Sequence, residues 1–138
     1  MNIVEVVTRS DAIGGAQVHV RDIAKGLLAA GHQVTVCVGG TGPFLDDLSR
    51  HGVPALSLTH LAQPIRPWRD LRAVAELVSV FRRLRPDVVA LHSSKAGIAG
   101  RVAARIAGIP AVFTAHGWAF TEGVSPGRRR LYATVERI

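Results

Sequence analysis

Cysteine is nearly absent from this sequence, since Cys37 is the one thiol among 138 residues. A single cysteine cannot form an internal disulfide, so the chain is not a disulfide-stabilised secreted scaffold. No apolar run approaches the ~20 residues that a membrane-spanning helix needs. Residues 1–5 lack a basic segment and include an acidic residue, so they give no sign of a secretory signal. We therefore expect a cytoplasmic location, with Cys37 as a small core residue in a reducing compartment.

The common nucleotide-binding and zinc-binding motifs are missing as well. The turn at Gly14 and Gly15 is not a G-x-G-x-x-G fingerprint, and the second predicted strand runs into Gly39 without a carboxylate for an adenine ribose. A nicotinamide dehydrogenase is therefore not expected. No G-x-x-x-x-G-K-[ST] string occurs, which excludes a P-loop nucleotidase. None of the six histidines forms an i, i+4 pair, and with a single cysteine we predict no metal site.

One hydrolase-like string, G-x-S-x-G, does occur at residues 123–127. Such a nucleophile elbow needs a strand before it and a catalytic histidine after it. Residues 120–123 make a poor strand, and no histidine follows His116. Ser125 is better interpreted as a helix N-cap with Pro126 at the first helical position. We therefore discard the hydrolase hypothesis.

The composition is that of a globular domain, with 48% hydrophobic and 20% charged residues. The charge is uneven, because residues 1–65 carry four basic and five acidic groups whereas residues 66–138 carry thirteen basic and five acidic groups. A one-sided basic surface suits anionic partners such as phospholipid head groups, diphosphate ligands or nucleic acid. Nucleic acid is the weakest of these hypotheses, because few aromatic residues alternate with the arginines and no nucleic-acid motif is present.

Strand and helix patterns alternate along the chain. Strands are predicted at residues 3–7, 33–38, 53–58, 88–91 and 109–115. Helices are predicted from Ala16 to the glycine at 31, at 43–48, after Trp68, at about 96–107 and at 126–138. This alternation predicts βαβ units in an α/β fold, a Rossmann-like open parallel sheet with helices on both faces. Pro54 places the third strand near an edge of the sheet.

Apolar spacing also predicts which helix faces are buried. In the helix after Trp68 the predicted buried residues are Leu71, Val74, Leu77, Val78 and Phe81. In the helix at 96–107 they are Ile98, Val102, Ala103 and Ile106. The segment 126–138 stops without a capping signal, from which we expect the chain to be one domain, residues 1–138, of a longer protein.

Polarity switches abruptly where the fourth predicted strand ends. Residues 88–91 are wholly apolar, and His92, Ser93, Ser94 and Lys95 follow at the start of a helix. In open parallel sheets, ligands bind outside the carboxyl ends of the strands, and a helix N-terminus favours anions. The segment is therefore a candidate binding site. A capping serine and a solvated lysine would produce the same pattern, and this segment alone leaves that alternative open.

Two further features fall at the same predicted edge. Gly14 and Gly15 lie between the first strand and the first helix, where a phosphate-cradling turn usually occurs. His116 directly follows the fifth strand, where an imidazole can donate a hydrogen bond to a ligand or stabilise charge in a transition state. A lone histidine at a strand end can equally be a satisfied polar residue. His19, at the rim of the first helix's apolar stripe, is expected to be structural.

Three strings, taken in order, resemble the N-terminal domain of family-4 glycosyltransferases. They are residues 14–27 with 31–36, then 85–97, and then 113–120. The resemblance spans nearly the whole chain. It implies one half of a GT-B fold, in which two Rossmann-like domains face each other across a cleft. Such enzymes transfer a sugar from a nucleotide-sugar donor to an acceptor with retention at the anomeric carbon, generally without a metal or other cofactor.

The resemblance also implies roles for individual residues. Gly14 and Gly15 would lie against the donor's diphosphate, and His116 would be the catalytic residue near the transferred sugar. The acceptor contacts, predicted after the fourth strand, are Ser93, Ser94 and Lys95. The donor-binding C-terminal domain of the family is absent from this sequence, so the chain alone is expected to be inactive.

The expected acceptor is a glycan or a lipid-linked sugar. Members of the family often dock on the cytoplasmic membrane, so we expect peripheral binding to an anionic inner membrane surface through the arginines. Apolar surface left uncovered by the absent domain could cause self-association. The alternative from a different class is a non-catalytic α/β module that binds a phosphorylated ligand or a partner subunit.

Overall fold

The computed structural model describes residues 1–11, 13–62 and 66–114. Within them the strands are β1 (Asn2–Val7), β2 (Gln33–Gly39), β3 (Ala55–Leu58), β4 (Val88–Leu91) and β5 (Ala111–Phe113). The helices are α1 (Gly15–Ala29), α2 (Pro43–Arg50), α3 (Pro67–Leu84) and α4 (Ser94–Ala107). Strands and helices alternate as predicted, but β3 and β5 are shorter than predicted and α2 and α4 each extend about two residues further. No helix in this part of the chain is long and apolar enough to cross a bilayer.

All strand pairs are parallel, and the strand order is β3-β2-β1-β4-β5. The chain builds outward from β1 to β3 and then crosses back to place β4 on the other side of β1. The strand order therefore reverses between β1 and β4, which is the position where open α/β sheets leave a crevice for ligands. β3 lies at an edge, as Pro54 predicted.

Helices cover both faces of the sheet, which confirms the predicted fold class. Alternate β1 residues serve opposite faces, because successive side chains of a strand point in opposite directions. Val4 and Val6 pack with α3 and α4, whereas Ile3 and Val7 pack with α1 and α2. Both faces of the sheet are covered by apolar packing, so the loops at the carboxyl ends of β1 and β4 start from rigid strands.

The predicted buried face of α4 is wrong. Ile98, Val102 and Ile106 are 50%, 46% and 55% exposed, and of the predicted set only Ala103 is buried. The buried residues of α4 are small: Ala96, Gly97, Ala99, Gly100, Ala103 and Ala104. A Cβ atom on either glycine would collide with the side chain of Phe113 or Leu91. Because α4 approaches the sheet this closely, only its smallest residues fit inward and its larger aliphatic residues face outward.

The prediction for α3 is mostly confirmed, with one error. Leu77, Val78 and Phe81 are buried and Val74 is partly buried, but Leu71 is 61% exposed. Ala73, Leu77 and Phe81, spaced by four residues, form the centre of the buried stripe. Leu71 lies in the first turn of the helix on the flank of this stripe, where it lines a shallow surface groove between α3 and α4.

Candidate functional site

The carboxyl ends of β1 and β4 are tied together by two hydroxyl groups. Thr8 follows β1 and Ser93 follows β4, and their side-chain oxygens share a hydrogen bond. Ser93 Oγ also accepts a hydrogen bond from the backbone N–H of Ala96 at 3.3 Å, so Ser93 is the N-cap of α4. In the structure the Ser93 hydroxyl is a helix cap, which is the alternative that the sequence left open. A contact between Ser93 and an acceptor stays a prediction.

The glycine turn before α1 is supported from below and open above. Gly14 N–H donates to Oε1 of Gln17 at 3.1 Å, while Nε2 of Gln17 donates to the Arg9 carbonyl at 3.3 Å. Gln17 is buried, and Gly14 and Gly15 are exposed. Among the described residues, and apart from the adjacent backbone, no atom lies within 4 Å of the position that a Cβ on Gly15 would take. The turn is therefore held in place while its outer face leaves room for a ligand to approach the backbone.

The loop after β1 is also anchored to the end of β2. Ser10 Oγ donates to the Gly39 carbonyl at 2.8 Å, and the Phe44 N–H donates to the Ser10 carbonyl at 3.1 Å. A Cβ on Gly39 would overlap the carbonyl oxygens of Thr8 and Leu61, so only glycine fits there. The loop that precedes the glycine turn is consequently fixed at both ends.

Lys95 lies in the first turn of α4 and is ion-paired. Its Nζ is 2.6 Å from Oδ1 of Asp70, with side chains 13% and 28% exposed. Oδ2 of Asp70 also accepts a hydrogen bond from the Arg66 N–H at 3.2 Å. The ion pair joins the first turns of α3 and α4. The sequence analysis did not identify Asp70 as the partner of Lys95. Ser94 is the first residue of α4, so all three predicted acceptor residues lie at this helix start.

The predicted catalytic His116 lies outside the described residues, as do Ser125 and the predicted helix at 126–138. The convergence of His116 with the glycine turn therefore stays a prediction. In residues 1–11, 13–62 and 66–114, no three His, Cys, Asp or Glu side chains gather closely enough to hold a metal ion.

A polar cluster that sequence reasoning missed lies on the α1 side of the sheet. Glu5, in the middle of β1, and His92, directly after β4, are both 1% exposed in their side chains, and Nε2 of His92 is 3.4 Å from Oε1 of Glu5. The exposed ring of His19 meets the His92 ring edge to face, with centroids 6.4 Å apart. A glutamate in an inward position of a valine-rich strand was the available signal, since a buried carboxylate needs a partner.

Cys37 takes the predicted place as a core residue. It is fully buried on the α3 and α4 side of the sheet, and burial raises the pKa of its thiol from 9.0 to about 12. The thiol therefore stays protonated at neutral pH. Since the thiolate is the reactive form, Cys37 is not a nucleophile of this site.

A family model described as "Glycosyl transferase 4-like domain" matches residues 14–138. The chain belongs to this family. The family predicted from the ordered strings is thereby confirmed.

One curated protein and several solved structures are similar to this chain. The chain is 35% identical over 97 residues to the Escherichia coli UDP-Gal:alpha-D-GlcNAc-diphosphoundecaprenol alpha-1,3-galactosyltransferase, a match of 70% of this chain and 25% of that protein. Anabaena Alr3699/HepE, solved with UDP and glucose, has a TM-score of 0.77 at 27% identity, covering 98% of this chain and 35% of that one. Acinetobacter baumannii MurG shares the fold, with a TM-score of 0.71 at 21% identity over 98% of this chain and 39% of that one.

The chain thus spans about a quarter of the length of the curated relative and about a third of the solved structures. The doubly wound half of a GT-B fold, which the resemblance implied, is confirmed by these structures. In the described part of this domain, the ends of β1 and β4 lie at the strand-order reversal.

Proposed function

We propose that this chain is the N-terminal, acceptor-side domain of a retaining glycosyltransferase. The whole enzyme moves a sugar from a nucleotide-sugar donor to a glycan or lipid-linked acceptor, and a second Rossmann-like domain binds most of the nucleotide. The observation that carries the proposal is the open glycine turn at the strand-order reversal between β1 and β4. The name of the E. coli relative specifies a UDP-sugar donor and a diphosphate-linked lipid acceptor, and Alr3699/HepE was solved with UDP and glucose.

The glycine turn is the proposed contact for the donor's diphosphate. The N-terminus of a helix carries a partial positive charge and unpaired N–H groups, so α1 favours phosphate oxygens near its first turn. Gly15 keeps that approach open because no side chain covers it in the part of the chain that the structure describes. In the proposed enzyme His116 is the catalytic residue beside the transferred sugar, where an imidazole stabilises developing charge.

The start of α4 is the proposed acceptor side. Ser93, Ser94 and Lys95 begin this helix next to the end of β1. Asp70 holds the Lys95 ammonium at 2.6 Å, so an anionic acceptor would share the ammonium with that carboxylate. The acceptor contact is therefore expected to be weaker than the donor contact at the open turn.

We also propose that the first turns of α3 dock on the anionic inner surface of the cytoplasmic membrane. The exposed residues of this α3 patch are Arg66, Trp68, Arg69, Leu71 and Arg72. Trp68 is 79% exposed and Leu71 is 61% exposed, and both stand among three arginines. Exposed aromatic and aliphatic side chains beside cations suit a lipid interface. The Lys95–Asp70 ion pair places the patch next to the acceptor side, where a lipid-linked substrate would arrive.

Vesicle binding tests the α3 patch. Replacing Arg66, Arg69 and Arg72 together by Gln is expected to lower partitioning of the whole protein onto phosphatidylglycerol-containing vesicles by about 100-fold at low salt, at roughly 1 kcal/mol per arginine. Replacing Arg82, Arg83 and Arg105 by Gln removes the same charge at the other ends of α3 and α4 and serves as the control. Equal loss in the two triple variants would mean that net charge, and not this surface, drives binding.

The exposed stripe of α4, formed by Ile98, Val102 and Ile106, is the proposed surface for self-association of the chain when it is separate from the rest of the protein. Sedimentation velocity at rising concentration is expected to show larger species for this chain, and a single species for a variant with Lys at the three positions. Larger species in both would assign the association to another surface.

The proposed activity is tested with the protein from the complete reading frame. Purified protein is incubated with a panel of UDP-sugars and a diphosphate-linked prenyl sugar acceptor, and NMR determines the anomeric configuration of the product. We expect transfer with retention, and none from the 138-residue chain alone. Transfer with inversion would contradict the proposal. Binding of diphosphate without any transfer would favour the non-catalytic module.

A further inference from the structure

Glu5 is an exception in the apolar layer between the sheet and helices α1 and α2. Its neighbours on that face, Ile3 and Val7, are buried aliphatic residues that pack with α1 and α2. A buried carboxylate is costly in such surroundings unless a charged or hydrogen-bonding partner compensates for the lost water. Oε1 of Glu5 has that partner in His92, at 3.4 Å. Oε2 has no hydrogen-bond partner among the described residues.

The strand register explains how the two side chains meet. Glu5 pairs with Ala90 in the sheet, and His92 follows two residues later, so the alternation of a strand places it on the same face. The backbone N–H of His92 donates to the Val6 carbonyl at 3.0 Å, which fixes its main chain. The His92 ring therefore lies on the Glu5 face of the sheet, with its Nε2 3.4 Å from Oε1 of Glu5.

His19 continues the cluster from the buried layer to the surface. Its ring is exposed and meets the His92 ring at an interplanar angle of 67°. His19 comes four residues after Gly15, so the two share one face of α1 and lie one turn apart. That face is open at Gly15. The exposed imidazole therefore packs against the His92 ring, which in turn lies beside Glu5.

We propose that His19 is a further substrate-binding residue that donates a hydrogen bond to a diphosphate oxygen, and that Glu5 and His92 are positioning residues that act through it. This inference rests on the proposed transfer function. The shared ligand chemistry is a diphosphate, which both a nucleotide-sugar donor and a diphosphate-linked acceptor contain. An imidazole N–H is a hydrogen-bond donor that suits such an oxygen.

A double-mutant cycle on the whole protein separates positioning from plain structural support. Glu5→Gln keeps the shape of the side chain and removes its charge. We expect it to lower kcat/KM about tenfold in the wild-type background and less than about twofold in the His19→Ala background, because residues that act through one another are not additive. An equal loss in both backgrounds would overturn the inference. The control is His51→Ala. His51 is an exposed histidine directly after the C-terminus of α2, at the end of the sheet opposite to the crevice.

The KM values identify which substrate carries the diphosphate. A rise in the KM of the UDP-sugar alone in His19→Ala assigns the contact to the donor, and a rise in the KM of the prenyl diphosphate alone assigns it to the acceptor. A fall in kcat with both KM values unchanged contradicts a binding role.

A binding experiment gives an answer that does not depend on turnover. Inorganic pyrophosphate is titrated into the whole protein while the imidazole NMR signal of His19, assigned with His19→Ala, is followed. The signal is expected to move in the wild type, and Glu5→Gln is expected to need an about fivefold higher concentration. A signal that does not move overturns the inference. A protein that moves the signal but transfers no sugar contradicts the proposed function, while the contact between His19 and diphosphate is still supported.

Discussion

The helix starts at the ends of β1 and β4 are built differently, although both face the same crevice. At α1, no side chain caps the helix from Gly14, and the surface over Gly15 is open. At α4, Ser93 caps the helix and Lys95 is paired with Asp70. One helix start keeps its ligand-facing surface free, whereas the other already uses its polar groups internally. A ligand at α1 can approach Gly15 without displacing a described side chain, although the Gly14 N–H is already bonded to Gln17. A ligand at α4 competes with the contacts of both Ser93 and Lys95.

The largest effect is expected when a side chain covers the open glycine turn, because this removes the difference between the two helix starts. Gly15→Leu is expected to lower kcat/KM of the whole protein about 100-fold, because a side chain there displaces the diphosphate from its reacting position. Stability is not expected to fall, since a Cβ at Gly15 meets open space and leucine favours a helix over glycine by roughly 1 kcal/mol.

Gly26→Leu is the matched control for that variant. Gly26 lies in the same helix, and a Cβ there also meets no atom within 4 Å. It is near the opposite end of α1, away from the crevice. An equal loss of activity in Gly26→Leu would mean that the helix, and not the turn, responds to the substitution.

The capping role of Ser93 predicts a smaller effect that concerns stability. Ser93→Ala removes the hydrogen bonds with Ala96 and Thr8, and is expected to lower the free energy of unfolding by about 1 kcal/mol in urea denaturation. Ser93→Asn, another good capping residue, should recover most of that loss. If Ser93→Ala is as stable as the wild type, the hydroxyl is not a structural cap, and the two helix starts are alike.

The ion pair between Lys95 and Asp70 predicts the smallest effect. Both side chains are partly exposed, at 13% and 28%, so solvent weakens their attraction. A double-mutant cycle with Lys95→Met and Asp70→Asn is expected to give a coupling of about 0.5 kcal/mol in thermal unfolding. A coupling of zero would mean that Asp70 does not compete with a ligand for the Lys95 ammonium. The two helix starts would then not differ in this respect.

The sequence predicted the elements better than their faces. The abrupt polarity change at residues 92–95 located the start of α4, and Gly108, at a φ of 73°, ends it as a left-handed cap. The buried face of α4 was mispredicted because large aliphatic residues are expected to be inside. Here the close approach of helix and sheet reverses that preference, and neither the spacing nor the hydrophobicity of Ile98 and Val102 reports that distance.

The candidate site also has a part that the sequence could predict and a part that it could not. The open glycine turn could be predicted because it depends on local chain order. The partner of Lys95 could not, since Asp70 is distant in sequence and comes close only when α3 and α4 pack. Glu5 and His92 are further apart still, but a carboxylate among buried valines already required a partner somewhere on the neighbouring strands.

The glycines of α4 couple the interior of the domain to its rim. Gly100 lies against Leu91, the last residue of β4, with no room for even one methyl group. A substitution to Ala would force either the Leu91 side chain or helix α4 to shift, and this helix is capped by Ser93, whose hydroxyl is bonded to Thr8 at the end of β1. One added methyl group at this buried position is therefore expected to disturb the hydrogen bond between Ser93 and Thr8 at the crevice.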